Sequence, residues 1–228
     1  MKKNILVIAA HPDDDILGCG GFFAKYKDRF NFKVIFIGEG SSCRFSNILQ
    51  QQKKIAKTIQ LRNLYAREAL NVFNIKNIEF YNLPCGRLDM EPIIDINKII
   101  EKEIKSFDPE IVFTHAENDT NNDHKIIYRS TLMAARPGIH KSLKVVASFE
   151  VLSSSEWNFS DAFIPNHFEL LTLKELNLKW KALKCYKSEI KSFPHPRSEE
   201  GIKTLARYRG MQAGSKYAES YKIIRSFS

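Results

Sequence analysis

The chain has 228 residues, enough for one ordinary globular domain, and no run approaches the ~18 apolar residues of a membrane-spanning helix. Its 35 lysines and arginines against 26 acidic residues give a net charge of +9. The basic residues are scattered along helical stretches such as 174–181, with no basic block interleaved with aromatics, which argues against nucleic acid and for a solvated surface.

Residues 4–10 form an apolar, β-branched run, the pattern of a strand buried on both faces. The run ends in His-Pro-Asp-Asp and not at a small-residue cleavage site, so it reads as a first core strand of a cytoplasmic protein. It stops at the charged knot His11-Pro12-Asp13-Asp14-Asp15 and passes into Gly18, Gly20 and Gly21. A helix is predicted from Ile16 to Phe30. A second strand, Lys33 to Gly38, leads into the polar loop 39–44. Residues 46 to about 73 are helix-rich, with a break expected before Tyr65. A third strand at 77–82 precedes the loop 83–89. Pro92 to Phe107 is helical, with Ile93, Ile96, Ile100 and Ile104 on one face, and Asp108-Pro109 ends it. Strand four, 110–114, runs into the polar stretch His115 to His124. A helix from about Asn122 to Ala135 stops at Pro137-Gly138. Val145 to Phe149 is a fifth strand, 150–171 is irregular or short-stranded, and helices at about 172–190 and 198–212 close the chain.

Strands alternating with helices predict an α/β fold: one Rossmann-like domain over 1–228, its mostly parallel sheet covered by helices on both faces. In such sheets ligands bind beyond the carboxyl ends of the strands. The loops at 11–15, 39–44, 84–89 and 115–124 all follow strands, so they are expected to meet at one sheet edge. The four cysteines at 19, 43, 85 and 185 form no Cys-x-x-Cys or zinc-ribbon spacing and read as small buried hydrophobes.

Burying several carboxylates after a strand is costly unless a cation or a catalytic need compensates. A dinucleotide loop is excluded by charge, because the Asp13–Asp15 carboxylates would face the pyrophosphate, and Phe23 stands where the third glycine belongs. A metal fits better. His11 and Asp14 flank a rigid turn, and His124, early in the helix after strand four, points back to the same edge. Such a His-Asp-His set leaves coordination positions open, as catalytic zinc requires, and iron, cobalt or manganese also accept it.

The segment Ala10 to Gly21 resembles the opening motif of the PIG-L/LmbE-like N-deacetylases, and Asn118 to His124 resembles that family's second motif, which ends in Asp-His. The likeness extends to Pro194–Gly201 and Tyr217–Glu219, similar to members associated with bacterial surface-sugar biosynthesis. The resemblance implies that His11, Asp14 and His124 bind zinc, and that Asp13 is the general base. Many members carry a histidine where this chain has Asn121, which can donate a hydrogen bond but cannot carry a positive charge. His115 is a candidate replacement, and Asp123 a candidate for orienting a neighbouring ligand or base. Arg44 matches a substrate-contacting position, His195 and Arg197 lie in a loop able to close over the site, and Trp157 and Phe159 are candidate sugar platforms. The implied activity is zinc-dependent removal of an acetyl group from an N-acetylated amino sugar, whether free, nucleotide-linked or lipid-linked. The basic surface leaves room for peripheral membrane contact. The alternatives are an amidase for another N-acyl conjugate, such as an antibiotic or thiol-sugar, and a non-catalytic metal- or sugar-binding module.

Overall fold

Strand β1 (Asn4–Ala9) lies inside the sheet of the computed structural model, which describes residues 2–227. Its alternation explains the unbroken apolar run: Ile5, Val7 and Ala9 enter one core, while Leu6 and Ile8 enter a second core on the opposite face. The chain continues through α1 (Asp14–Tyr26), β2 (Asn31–Gly38), α2 (Gln52–Asn71), β3 (Asn77–Leu83) and α3 (Ile93–Phe107). Then come β4 (Ile111–His115), α4 (Asn122–Ala134), β5 (Val145–Phe149), β6 (His167–Leu170), α5 (Leu173–Leu183), α6 (Glu199–Gln212) and β7 (Ala218–Ser226).

The strand order is β3-β2-β1-β4-β5-β7-β6. β1 to β5 pair in parallel, and β7 runs antiparallel between β5 and β6. Side chains of α1, α2, α5 and α6 fill the first core, and those of α3 and α4 the second. The chain leaves β1 towards β2 on one side, and β4 adds on the other, so the switch point of the sheet lies at the carboxyl ends of β1 and β4.

Several boundaries differ from the sequence expectation. α1 starts at Asp14, because the turn before it closes early through Asp14 N–H donating to His11 O. α2 runs unbroken past Tyr65, and α5 ends at Leu183, well short of 190. On α3, Ile96, Ile100 and Ile104 are buried, whereas Ile93 in the first turn stays half exposed. The largest omission is β7, which carries Glu219 and Ser220 into the interior and so lacks a strand's apolar pattern. Glu219 accepts from Gly21 N–H (2.9 Å), Phe22 N–H (2.8 Å), Lys179 Nζ (2.6 Å) and Tyr221 Oη (2.7 Å), so a buried ion pair ties β7 to α1 and α5.

Gly18 permits the close approach of α1 to the sheet, because a methyl there would collide with the buried Phe149 ring. Gly18→Ala is therefore expected to lower unfolding stability by about 1–3 kcal/mol, the usual cost of overpacking a filled core. Urea unfolding measures this, and an unchanged midpoint would show that Phe149 has room to move.

Candidate metal centre

After β1 the backbone makes an abrupt turn. Asp13 adopts φ 116°, a conformation disfavoured for any residue with a Cβ, at the residue that caps α1. Locking contacts surround it: His11 N–H donates to Asp14 Oδ2 (2.8 Å), and Asp13 N–H to Asp15 Oδ1 (3.3 Å). The turn thereby sends Asp13 and Asp14 towards the same cavity as His11. α4 brings the fourth side chain. Asn121 caps it by accepting from Asp123 N–H (2.9 Å), which puts His124 in the first turn, facing the switch point.

His11, Asp14 and His124 are buried, none more than 6% exposed, and their donor atoms lie within 4.8 Å of one another. Asp14 Oδ2 stands 3.4 Å from His11 Nδ1 and 3.3 Å from His124 Nε2. Two N or O donors at about 2.05 Å from one tetrahedral ion stand about 3.3 Å apart, so both spacings from Asp14 suit a first-row divalent cation. Nε2 of His124, the nitrogen that faces Asp14, lacks an aligned hydrogen bond, which is costly for a buried polar atom and natural for a ligand.

The electrostatics point the same way. Burial alone would lower the pKa of His11, but its bond to Asp123 and the adjacent Asp14 raise it to about 9. Burial likewise opposes protonation of His124, and the Asp14 and Asp119 carboxylates lift it to about 10. Asp14 itself is held well below the ordinary carboxylate range, burial being overcome by His124 and His11. The pocket therefore concentrates negative charge around two imidazoles, the field that favours a divalent cation.

Each histidine has a carboxylate behind it. Asp123 Oδ2 accepts from His11 Nε2 (2.8 Å) and Gly86 N–H (2.6 Å), and Oδ1 from Leu88 N–H (3.2 Å). Asp119 Oδ1 lies 3.1 Å from His124 Nδ1 and accepts from Ser154 Oγ, while Oδ2 accepts from Ser155 Oγ (2.6 Å). These contacts orient both rings from behind, the usual arrangement around metal-binding histidines.

Asp13 faces the cavity from a different environment. Its Oδ2 meets Arg197 Nη1 (2.7 Å) and Arg62 Nη2 (3.1 Å). Glu189 braces both guanidiniums and also holds Arg44 (2.7 Å). Burial pushes the Asp13 carboxyl up, Arg197 and Arg62 pull it down, and the balance leaves it above its ordinary value. Glu189, by contrast, drops to about 2, its burial outweighed by Arg44 and Arg62.

The cavity measures about 310 Å³, and its walls include His11, Asp13, Asp14, His124, Asn121, Arg44, Arg197 and Trp157. Asn121 has committed its carbonyl oxygen to the α4 cap, so its –NH2 is the group it can offer. Three residues expected at the substrate, His115, His195 and Phe159, are not on these walls. His115 is fully buried at the end of β4, its Nε2 accepting from Ala10 N–H (2.8 Å) and its ring stacked 3.9 Å from His124. It therefore sits behind the cluster, because the last residue of β4 points into the fold. His195 is half-buried beside Arg197, its Nδ1 accepting from Arg197 N–H (3.1 Å). Phe159 is 91% exposed and off the cavity wall. Asp119, Arg62 and Glu189 were missed by sequence reasoning. Asp119 lay within a recognised polar stretch, whereas Arg62 and Glu189 fall on or beside helices where nothing local marks them.

The fold and site together define a Rossmann-like α/β protein with a candidate divalent-metal centre at its switch point. The chain belongs to the PIG-L family, described as GlcNAc-PI de-N-acetylase, whose model matches residues 6–135, a span that includes His11 to Asp15 and His124. Among relatives, it is 25% identical over 190 residues to the uncharacterized deacetylase YaiS of Escherichia coli (strain K12), covering 82% of this chain and 92% of YaiS. It is 22% identical to the diacetylchitobiose deacetylase of Thermococcus kodakarensis, covering 97% of this chain and 83% of that protein. The structure of N,N'-diacetylchitobiose deacetylase from Pyrococcus horikoshii superposes with a TM-score of 0.78 at 19% identity, over 98% of this chain and 84% of that one. That likeness is one of fold. Among the described residues, no helix is long and apolar enough to cross a membrane.

Proposed function

We propose that this chain is a zinc-dependent N-deacetylase that hydrolyses the acetamide of an N-acetylated amino sugar, with residues 1–228 acting as one catalytic domain. The observation that carries this reading is the separation of roles among adjacent carboxylates: Asp14 joins two imidazoles, while Asp13 faces the same cavity from a guanidinium clamp. The family description and the names of the diacetylchitobiose deacetylases support the substrate class.

Zinc held by His11, Asp14 and His124 would polarise the amide carbonyl and acidify a water. Asp13 takes a proton from the attacking water and returns it to the departing amine, and burial, which holds its carboxyl above the ordinary value against the pull of Arg197 and Arg62, favours holding that proton between the two steps. Arg62 and Arg197 fix the Asp13 carboxylate in place. The –NH2 of Asn121 donates to the oxyanion as negative charge develops on the acyl oxygen. Asp123 and Asp119 hold the two imidazole rings in their ligating orientations. Arg44 grips a hydroxyl or phosphate of the substrate at the cavity wall, and Trp157 offers a face to the sugar ring.

Acetate release from a panel of free, nucleotide-linked and lipid-linked N-acetylated amino sugars tests the reading. Release from at least one class is expected, and a zinc-loaded protein that released acetate from none would overturn it. Asp119→Ala is expected to cost about 10–100-fold in zinc affinity, the usual price of losing a carboxylate behind a histidine ligand. Competition with a chromophoric chelator reads this directly. Unaltered affinity would mean that packing against His115 alone orients His124.

A further inference from the structure

A second group of metal-binding atoms lies on the other nitrogen of His11. The imidazole turns Nδ1 towards Asp14 (3.4 Å) and Nε2 towards Asp123 (2.8 Å). A ring nitrogen of His11, the Cys85 thiol and an Asp123 carboxylate oxygen lie within 4.8 Å of one another, and all three residues are buried. Cys43 Sγ is 3.2 Å from Cys85 Sγ, and both cysteines line the cavity. The backbone around Cys85 is rigid: Cys85 N–H donates to Glu39 Oε1 (3.0 Å) and Gly86 N–H to Asp123 Oδ2 (2.6 Å), with Gly86 at φ 70°. Cys43, by contrast, is exposed on the short turn Ser42–Arg44.

We propose that Cys43 and Cys85, with an Asp123 carboxylate oxygen, form a second metal site beside His11 that takes a soft divalent cation such as Cd²⁺, or Zn²⁺ supplied in excess. On binding, each thiol releases its proton to solvent and forms one sulfur–metal bond, with no change in oxidation state. Two thiolates at about 2.3 Å from one tetrahedral ion stand about 3.8 Å apart, so the exposed Cys43 side chain need open only slightly from its present spacing. Thiolates select soft cations, whereas the His-Asp-His cluster is a borderline set, so the two clusters differ in preference. They also meet at the His11–Asp123 hydrogen bond. An ion on the thiolates draws on the Asp123 carboxylate that accepts from His11 Nε2 and breaks the bond that orients His11. Filling the second site therefore weakens the first.

The site does not depend on the deacetylase reading, because the metal's own spectrum reports it. Metal-free, thiol-reduced protein is titrated with Co²⁺ and then with Cd²⁺. Expected are two bound equivalents, one of them giving a near-ultraviolet thiolate-to-metal charge-transfer band, and protection of both thiols from an aromatic disulfide reagent. Cys43→Ser alone should abolish the band and the second equivalent while the first is kept, and it leaves the buried Cys85 in place. A Cys43→Ser/Cys85→Ser variant should behave alike. A band that persists in Cys43→Ser, a single equivalent with no thiolate band in the parent protein, or Cys43 and Cys85 left reactive under saturating Cd²⁺ would each overturn the proposal.

Discussion

Asp13→Asn is expected to lower turnover by a factor of about 10²–10⁴ while leaving bound zinc at parent stoichiometry. The substitution preserves shape and removes only the capacity to take a proton. Asparagine also tolerates positive φ better than most residues, so the unusual backbone at this position adds little further strain. The amide oxygen still accepts from Arg197, and Glu189 continues to neutralise Arg62 and Arg197, so neither guanidinium is left without a carboxylate. Metal content by elemental analysis and acetate release on the same sample separate the two effects. Loss of zinc would move Asp13 into the ligand set, and full activity would remove it from proton transfer. Asp13→Ala is the poorer probe, since it strips the clamp of its partner as well as the base from the site.

The guanidinium clamp shows where sequence reading stops. The continuous apolar run of β1 declared a strand covered on both faces, and an expensive cluster of carboxylates after it declared a polar site. Both signals are local, and the rule that ligands bind at the carboxyl edge of a parallel sheet brought distant loops together. Arg62 carries no such signal. It is an arginine in mid-helix, and only the packing of α2 against the turn at Pro12 buries it, with Nη2 donating to Pro12 O (2.8 Å) and Nη1 to Glu189 (2.6 Å). β7 was hidden for the opposite reason. Its buried Glu219 and Ser220 break the alternation that marks a strand, and they are tolerated because Lys179, Tyr221 and two α1 amides satisfy Glu219. His115 looked like any polar loop residue next to the site. Its position as the last residue of β4 decides its direction, and a direction set by strand register is not visible in composition.

His124→Ala is expected to abolish stoichiometric zinc binding, and with it acetate release. The remaining pair, His11 and Asp14, is too few for a structural or catalytic zinc site, which takes three or four protein donors. No neighbour can take over. His115, stacked on His124, already uses Nε2 to accept from Ala10 N–H, and Asp119 is held by the hydroxyls of Ser154 and Ser155. Those same contacts predict that the protein stays folded. Alanine is a strong helix former at this position of α4, Asn121 still caps the helix, and Asp119 keeps two donors after losing the imidazole. The loss should therefore appear in metal content while the far-ultraviolet circular dichroism spectrum is unchanged. Stoichiometric metal in purified His124→Ala, with no thiolate band when the metal is Co²⁺, would take His124 out of the ligand set. A thiolate band would instead place the retained ion on the Cys43–Cys85–Asp123 cluster and leave the role of His124 standing, since only that cluster offers sulfur.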